Sequence, residues 1–251
     1  MNVYLYDGSY EGLLTTVFES FSSKITPAEI SCQEHYQPLF TGHTLHVVTD
    51  EKKAERVLKG IMKKTSPEAT DSILKAFLSE TPDMEMLIYQ YIKYLIEAKE
   101  NVEENYSNPY VLKMKQLRKQ VNREVHRMHA FVRFEKTSGD IYHSVIDPDF
   151  NVIPLIGEHF EKRYADQKWI IFDTKRKYGI YYDLETITAL NSDMLNTYLS
   201  VESLISEKEN AYQHLWKNYF DAVNIKERKN VKFHLQQLPK RYWKFLPEKK
   251  M

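Results

Sequence analysis

The sequence predicts a mixed α/β protein, with a helix-rich N-terminal part that holds short strands and a C-terminal ββ-α-ββ sheet covered by helices. Three observations indicate this class: two β-to-α units near the N-terminus, a series of amphipathic segments in the middle, and two alternating hairpins between residues 130 and 183. A period of two residues is typical of half-buried strands, and apolar spacing of i, i+3, i+4, i+7 is typical of helices. Both periods occur repeatedly, so strands and helices are intermixed.

The N-terminal part begins with two β-to-α units. Val3–Tyr6 alternates like a short strand, and Asp7-Gly8-Ser9 supplies a turn and a helix cap before a helical pattern through Phe21. The second unit has a strand from His43 to Thr49, a cap at Thr49 or Asp50, and a helix over residues 51–64. We therefore expect short strands followed directly by helices.

Proline marks the start of the next two helices. Ser66-Pro67-Glu68 and Thr81-Pro82-Asp83 place a proline near the first helical position, where its missing N–H costs nothing. The second of these helices has a continuous apolar stripe at helical spacing, formed by Met84, Leu87, Ile88, Tyr91, Ile92, Leu95 and Ile96. A polar segment over residues 101–108 then precedes a longer helix, residues 111–128, with a basic exposed side.

The pattern changes to strands after residue 130. Two hairpins flank one predicted helix, and their strands are Phe131–Phe134, Ile141–Val145, Trp169–Phe172 and Tyr178–Tyr182. The helix between the hairpins is expected over residues 154–165, after the Asp147-Pro148-Asp149 turn. From Ser192 onward the chain is predicted to be mostly helical.

Composition excludes several classes of protein. Of the 251 residues, 42% are hydrophobic and 28% are charged, and no window has the roughly 18 unbroken apolar residues of a membrane span. The N-terminus has no secretion signal, so we expect a cytoplasmic protein without a membrane partner. A single cysteine, Cys32, excludes internal disulfides and four-cysteine metal sites. None of the seven glycines forms a phosphate-binding motif, so no cofactor is predicted.

The charges are balanced overall but separated along the chain. Residues 1–110 carry 10 Lys and Arg against 17 Asp and Glu, and the remaining 141 residues carry 25 against 18. We expect an acidic part over residues 1–105 and a basic part over residues 106–251, or one continuous domain that contains both. A basic part fits a polyanion, a complementary face of a partner, or simply solvated helix surfaces.

The C-terminal 28 residues combine positive charge with aromatic rings. Residues 224–251 carry nine Lys and Arg against two Glu, and Phe233, Tyr242, Trp243 and Phe245 lie among them. Phosphate neutralisation together with stacking on aromatic rings is how proteins hold single strands and extruded bases. The alternative is that the rings pack into the core while the lysines face solvent.

Three side chains carry a catalytic hypothesis, namely His126, Asp173 and Arg176. Asp173 follows a predicted strand and opens the loop that contains Arg176, which offers acid–base chemistry beside an anion-holding group. Aspartate is also a common turn residue, so a structural role is the alternative. His126 and His129 stand at i, i+3, but spacing fixes no third ligand, so no metal site is predicted.

Seven short motifs in a fixed order resemble those of a bacterial family of unknown function described as DNA-metabolism proteins. The motifs are Tyr6–Gly12, Pro82–Glu85, Glu124–Arg127, Phe131–Phe134, Arg163–Trp169, Asp173–Gly179 and Glu227–Asn230. The likeness extends from Tyr4 to Leu246. It is specific as to family and not as to activity, and it brings no established catalytic residues.

This resemblance implies a partner more than a reaction. Genes of the family tend to lie beside a gene for a radical SAM protein of DNA modification or repair, and some relatives carry a fused uracil-DNA-glycosylase-like domain. Because this chain ends at Met251, we expect the stand-alone form without a glycosylase domain.

The motifs and the basic segments share polar and aromatic residues that are unusual as core filler. We expect these to bind nucleic acid: Arg127, Arg133, Arg163, Gln167, Trp169, Tyr178, Arg228, Lys229, Asn230, Arg241 and Trp243.

Three functions are consistent with these observations. The first is a DNA-binding accessory factor, for single-stranded or damaged DNA, that works with the radical SAM protein in repair or modification. The second is an enzyme acting on a nucleotide or nucleic acid through His126, Asp173 and Arg176. The third is a protein-binding partner of the radical SAM protein that ignores DNA.

Overall fold

The structure is a computed structural model that describes residues 2–34, 36–37, 43–137, 140–195, 207–223 and 230–249. The chain divides into two compact units, Met1–Asn122 and Arg123–Met251. This division falls inside a long helix and not at the polar segment after residue 100, and the expected domain boundary at residue 105 stays a prediction. The mixed α/β class is confirmed, since each unit contains a sheet together with helices.

The first unit contains a three-stranded parallel sheet in the order β2-β1-β3. Its strands are β1 (Asn2–Tyr6), β2 (Glu29–Cys32) and β3 (His43–His46). In the central strand, Tyr4 aligns with Ile30 of β2 and with Leu45 of β3. The strand β2 is absent from the sequence prediction because Ile30 is its one strongly apolar residue.

Among the described residues of the first unit, five helices begin close to their predicted positions. They are α1 (Tyr10–Ser23), α2 (Glu51–Met62), α3 (Pro67–Leu78), α4 (Met84–Glu97) and α5 (Pro109–Phe131). The predicted caps at Ser9 and Asp50 are confirmed, since Ser9 accepts from the Gly12 amide and Asp50 from the Lys52 and Lys53 amides. The apolar stripe of α4 joins the core of this unit through Ile88, Ile92 and Leu95, among others.

The second unit contains a five-stranded sheet in the order β4-β5-β6-β7-β8. Its strands are β4 (Glu135–Lys136), β5 (Ile141–Ile146), β6 (Lys168–Asp173), β7 (Tyr178–Tyr182) and β8 (Ile187–Asn191). The helix α6 (Ile153–Arg163) connects β5 to β6, which pair in parallel, and the other pairs are antiparallel. The predicted ββ-α-ββ order is therefore extended by one strand.

Two details of this sheet differ from the sequence prediction. Phe131–Phe134 is not a strand, because α5 continues through Phe131 and β4 begins only at Glu135. The Arg133 guanidinium donates to the carbonyls of Ala130 and Val132, which satisfies backbone acceptors at the end of the helix. The edge strand β8 was not predicted, since Leu190 is its one buried residue and its pattern shows little alternation.

The described C-terminal residues of the second unit, 207–223 and 230–249, are mostly helical. It contains α7 (Glu207–Val223), α8 (Val231–Gln237) and two 3-10 helices, Lys240–Phe245 and Pro247–Lys249. Within the residues described, we find no helix with the length and apolar content needed to cross a bilayer.

A buried carboxylate, Glu124 on α5, joins three parts of the second unit. It is 1% exposed, and its Oε1 accepts from the Tyr242 hydroxyl at 2.6 Å and from the Asp149 amide at 3.0 Å. Its Oε2 accepts from Arg241 Nη2 at 2.7 Å and lies 3.6 Å from Arg127 Nη1. We call these five residues the Glu124 network. It ties α5 to the turn before α6 and to the C-terminal 3-10 helix.

The Glu124 network leads to a prediction about stability. Replacing Glu124 by Ala leaves Arg241, Tyr242 and the Asp149 amide without their acceptor, and breaking a buried pair costs about 3 kcal/mol or more. The free energy of unfolding, measured by urea titration of the full chain, is expected to fall by that amount. Glu158→Ala is the control, because Glu158 forms an exposed i,i+4 pair with Lys162, and an exposed pair of this kind contributes little to stability. Equal losses for the two variants would contradict this account of Glu124.

Candidate nucleic-acid interface

The second unit contains a groove of about 790 Å³. One wall follows the end of α5 and the sheet, and it is formed by Val132, Arg133, Phe134 and Tyr142. Another comes from the end of α6 and the turn after it, through Arg163, Tyr164 and Gln167. The face of α7 and the C-terminal segment complete the groove, through Glu209, Tyr212, Gln213, Trp216, Tyr219 and Pro247.

The face of α7 toward the groove is apolar and yet exposed to solvent. Tyr212, Leu215, Trp216 and Tyr219 lie at i, i+3, i+4 and i+7, which places them on one side of the helix. Their exposed fractions are 61%, 62%, 40% and 59%, respectively. A contiguous exposed apolar surface of this kind marks an interaction site.

Two arginines give the groove positive charge, and they differ in their partners. The Arg163 guanidinium lies 5.6 Å from the ring centre of Tyr164, and its Nε donates to the Tyr164 hydroxyl at 3.4 Å. Within the described part of the chain, no carboxylate lies within ion-pair distance of Arg163. Its charge is therefore available to an anionic ligand.

Arg133 is occupied by a carboxylate of the same unit. Its Nη2 lies 3.2 Å from Glu248 Oε1, and its guanidinium lies 5.8 Å from the ring centre of Trp216. The other oxygen of Glu248 accepts from Trp216 Nε1 at 2.9 Å. The Glu248 side chain is 5% exposed. One carboxylate thus joins a guanidinium and an indole of the groove.

Amide and carboxylate groups supply the remaining polar lining. Glu209 is 8% exposed and accepts from the Lys136 amide at 3.2 Å and from Gln213 Nε2 at 3.4 Å. Gln167 lies in the turn between α6 and β6, where its backbone amide donates to the Tyr164 carbonyl at 3.3 Å. Aromatic walls with a few polar groups are the usual composition of a site for a planar ligand.

The structure brings together three of the predicted binding residues, since Arg133, Arg163 and Gln167 all line the groove. Arg127 and Arg241 lie instead in the Glu124 network. Arg127 also donates to the Gln236 carbonyl at 3.5 Å, and Arg241 Nη1 also pairs with the Asp149 carboxylate.

The other predicted binding residues lie apart from the groove lining. Trp169 is 1% exposed and stacks on Tyr182 at 5.4 Å between ring centres, so its ring faces the protein interior. The Tyr178 hydroxyl donates to Asn151, and Trp243 Nε1 donates to the Leu238 carbonyl at 3.1 Å. Asn230 precedes α8 and accepts from the Phe233 amide at 3.0 Å, which is the role of a helix cap. Arg228 and Lys229 lie outside the described residues.

Two of the three predicted catalytic residues bond to each other and to the backbone around them. Asp173 is fully buried and accepts from the Lys175 amide at 2.9 Å and from the Arg176 amide at 3.2 Å. Arg176 Nη1 donates to Asp173 Oδ2 at 2.7 Å and to the Pro148 carbonyl at 3.2 Å. His126 is exposed on α5. These contacts give Asp173 and Arg176 a structural role at the turn between β6 and β7.

Sequence reasoning missed the residues that α7 contributes. The signal was present, because Tyr212, Leu215, Trp216 and Tyr219 have the spacing of an apolar helix face. Such a face usually indicates core packing, and only the structure shows that this one is exposed.

A histidine pair lies close to this region. The rings of His129 on α5 and His159 on α6 stack at 3.9 Å between centres, with 14° between their planes. Burial, together with the nearby His159 and His126, lowers the pKa of His129 to about 4. Burial also lowers the pKa of His159, and the Arg163 guanidinium adds to the effect. The pair is therefore neutral at pH 7.

The histidine pair predicts a pH dependence of stability. Because His129 has a folded pKa of about 4 and an unfolded value near 6.5, the unfolded chain takes up the proton first as pH falls. Stability is thus expected to decrease between about pH 6.5 and 4, and His129→Gln should weaken that decrease. Urea titrations at pH 7 and pH 5 measure it, with the exposed His214→Gln as control. A wild-type pH dependence in His129→Gln would contradict the prediction.

Comparison with known proteins identifies the family to which this chain belongs. The model of a family described as a domain of unknown function, DUF4130, matches residues 82–248. The match covers more than half of the chain, so this protein belongs to that family. The matched range includes every residue that lines the groove. No curated protein and no solved structure matches the chain significantly.

Proposed function

We propose that this protein binds nucleic acid in the groove of its second unit and acts in DNA metabolism as an accessory factor to a radical SAM enzyme. The observation that carries the proposal is the exposed row of Tyr212, Trp216 and Tyr219 beside Arg163. Unstacked bases lie against these rings, and Arg163 contacts a phosphate.

Stacking explains why such rings are exposed. Every base has a π face, and stacking on an aromatic side chain is worth about 1–3 kcal/mol per base regardless of sequence. Trp216 and Tyr219 lie 5.8 Å apart between ring centres, with 35° between their planes, so they offer neighbouring surfaces for a base. A duplex keeps its bases stacked on each other, which favours a single-stranded or locally opened ligand.

The size and lining of the groove support binding over catalysis. Its volume of about 790 Å³ falls within the range of small-molecule sites and accommodates a base with its sugar and phosphate. Among the described residues that line it there is one carboxylate, Glu209, and no histidine, cysteine or serine. This composition fits a binding surface whose chemistry is supplied by a second protein.

The radical SAM part of the proposal is supported by the sequence resemblance. Genes of similar proteins tend to lie beside one for a radical SAM protein of DNA modification or repair. The lining residues that the structure describes include no acid–base pair, which fits an accessory factor that presents DNA to such an enzyme.

Loss of the stacking surface is the first test of the groove. Trp216→Ala is expected to weaken binding of a single-stranded oligothymidylate about tenfold, since one base loses its stacking partner. Arg163→Ala is expected to weaken binding and to reduce the slope of log affinity against log salt by about 0.7, the value for one phosphate contact on a single strand. Fluorescence anisotropy at about 50 and 200 mM salt measures both effects.

Lys162→Ala is the matched control for Arg163→Ala. It removes one positive charge from the neighbouring position on α6, but Lys162 does not line the groove and pairs with Glu158. It should leave the affinity close to wild type. Wild-type protein that binds neither single- nor double-stranded DNA would refute the proposal and would leave a protein-docking role for this face.

The Glu248 carboxylate, which pairs with Arg133, leads to a prediction of tighter DNA binding. Glu248→Gln removes the negative charge beside Arg133 while keeping a group that accepts from Trp216 Nε1. The affinity for single-stranded DNA is expected to increase several-fold, because a charge-assisted contact with Arg133 becomes available to a phosphate. The same anisotropy titration measures it. Glu185→Gln, at an exposed position, is the control for a general change in net charge. Unchanged or weaker binding by Glu248→Gln alone would show that Glu248 does not compete with the ligand.

A further inference from the structure

We infer that the groove selects guanine among the bases and that Glu209 is the residue that reads it. This inference rests on the proposed function, because it names the base that the same groove prefers.

The Glu209 carboxylate is buried and has hydrogen-bonding capacity that the described part of the protein does not use. It is 8% exposed, and among the described residues it has two hydrogen-bond donors, the Lys136 amide and Gln213 Nε2. No cation of the described residues lies within ion-pair distance of it, and Lys136 Nζ pairs with Asp140 at 2.6 Å. A carboxylate has about four acceptor positions, so Glu209 keeps unused capacity in a site largely removed from water. A ligand that donates hydrogen bonds satisfies that capacity.

The charges around the groove limit the charge of the ligand. A cation would pair with Glu209, but Arg163 lines the same groove and repels positive charge. Aromatic walls favour a planar ring, and Arg163 favours an anionic group attached to it. Glu209, the aromatic walls and Arg163 are therefore all satisfied by a neutral planar ring that has N–H donors on its edge and a phosphate nearby.

The four bases differ in the hydrogen-bond donors that their Watson–Crick edges present to a carboxylate. The Watson–Crick edge of guanine presents N1–H and N2–H side by side, which matches the two oxygens of a carboxylate. Thymine presents N3–H between two carbonyl oxygens that repel the carboxylate. Adenine and cytosine present one amino group beside a ring nitrogen lone pair, which is also repelled. Guanine alone offers two parallel donors to Glu209.

The test uses the full chain and short oligothymidylates of about eight nucleotides with one central base changed. Guanine, hypoxanthine and thymine are compared at that position by competition in fluorescence anisotropy. Hypoxanthine keeps the ring and N1–H of guanine and lacks only the amino group. Wild-type protein is expected to bind the guanine oligonucleotide about tenfold more tightly than either of the others, since a hydrogen bond to a charged group is involved.

Two variants assign the preference to one side chain. Glu209→Gln is expected to lose the guanine preference and to bind all three oligonucleotides with equal affinity. Glu135→Gln is the matched control, because Glu135 also accepts from Gln213 Nε2, at 3.3 Å, but does not line the groove. It should keep the guanine preference. Circular dichroism of each variant verifies that it is folded.

The outcomes distinguish failure of the guanine inference from failure of the proposed nucleic-acid binding. Equal binding of guanine and hypoxanthine by wild-type protein overturns the inference without requiring any variant, and it leaves the proposed nucleic-acid binding intact. A guanine preference that persists in folded Glu209→Gln also overturns the assignment to Glu209. Failure of wild-type protein to bind any of the oligonucleotides refutes the proposed function and the inference together.

Discussion

The second unit depends on one buried negative charge, the carboxylate of Glu124. An isolated carboxylate in a protein interior is too costly to persist, so the chain must bring donors to it from distant positions. The donors come from the turn before α6 and from the C-terminal 3-10 helix, through the Asp149 amide, Arg241 and Tyr242. The requirement to satisfy Glu124 therefore fixes where two separate segments meet α5.

The same requirement positions the groove. The turn at residues 147–149 is held on its other side by Arg176 and Lys175, which donate to the carbonyls of Pro148 and Asp149. The helix α6 starts just after this turn, and its C-terminal end carries Arg163 and Tyr164 into the groove. The 3-10 helix that supplies Arg241 leads directly to Pro247 and Glu248. Two walls of the groove thus extend from segments anchored on buried acidic residues.

Local signals in the sequence were sufficient for most helices and for the β6–β7 hairpin, because caps, prolines and periodicity act within a few residues. Short strands such as β2 and β8 form because a neighbouring strand offers hydrogen bonds, which no local pattern reveals. The groove was only partly predictable for a similar reason. Arg133, Arg163 and Gln167 were singled out by residue type, but the partners of Glu124 lie up to 118 positions away in the chain. Nothing in the spacing of Arg241 distinguishes a residue that satisfies a buried acid from one that meets a phosphate.

The contact between Arg133 and Glu248 has a thermodynamic consequence for any anion that enters the groove. DNA binding usually gains entropy because mobile counterions leave the phosphates and the protein. The counterion of Arg133 is a carboxylate attached to the same chain, so its displacement returns no free ion to solution. Because Glu248 offsets its charge, Arg133 would contribute less than Arg163 to the salt dependence of binding. Counting the positive charges of this surface would overstate how strongly its affinity responds to ionic strength.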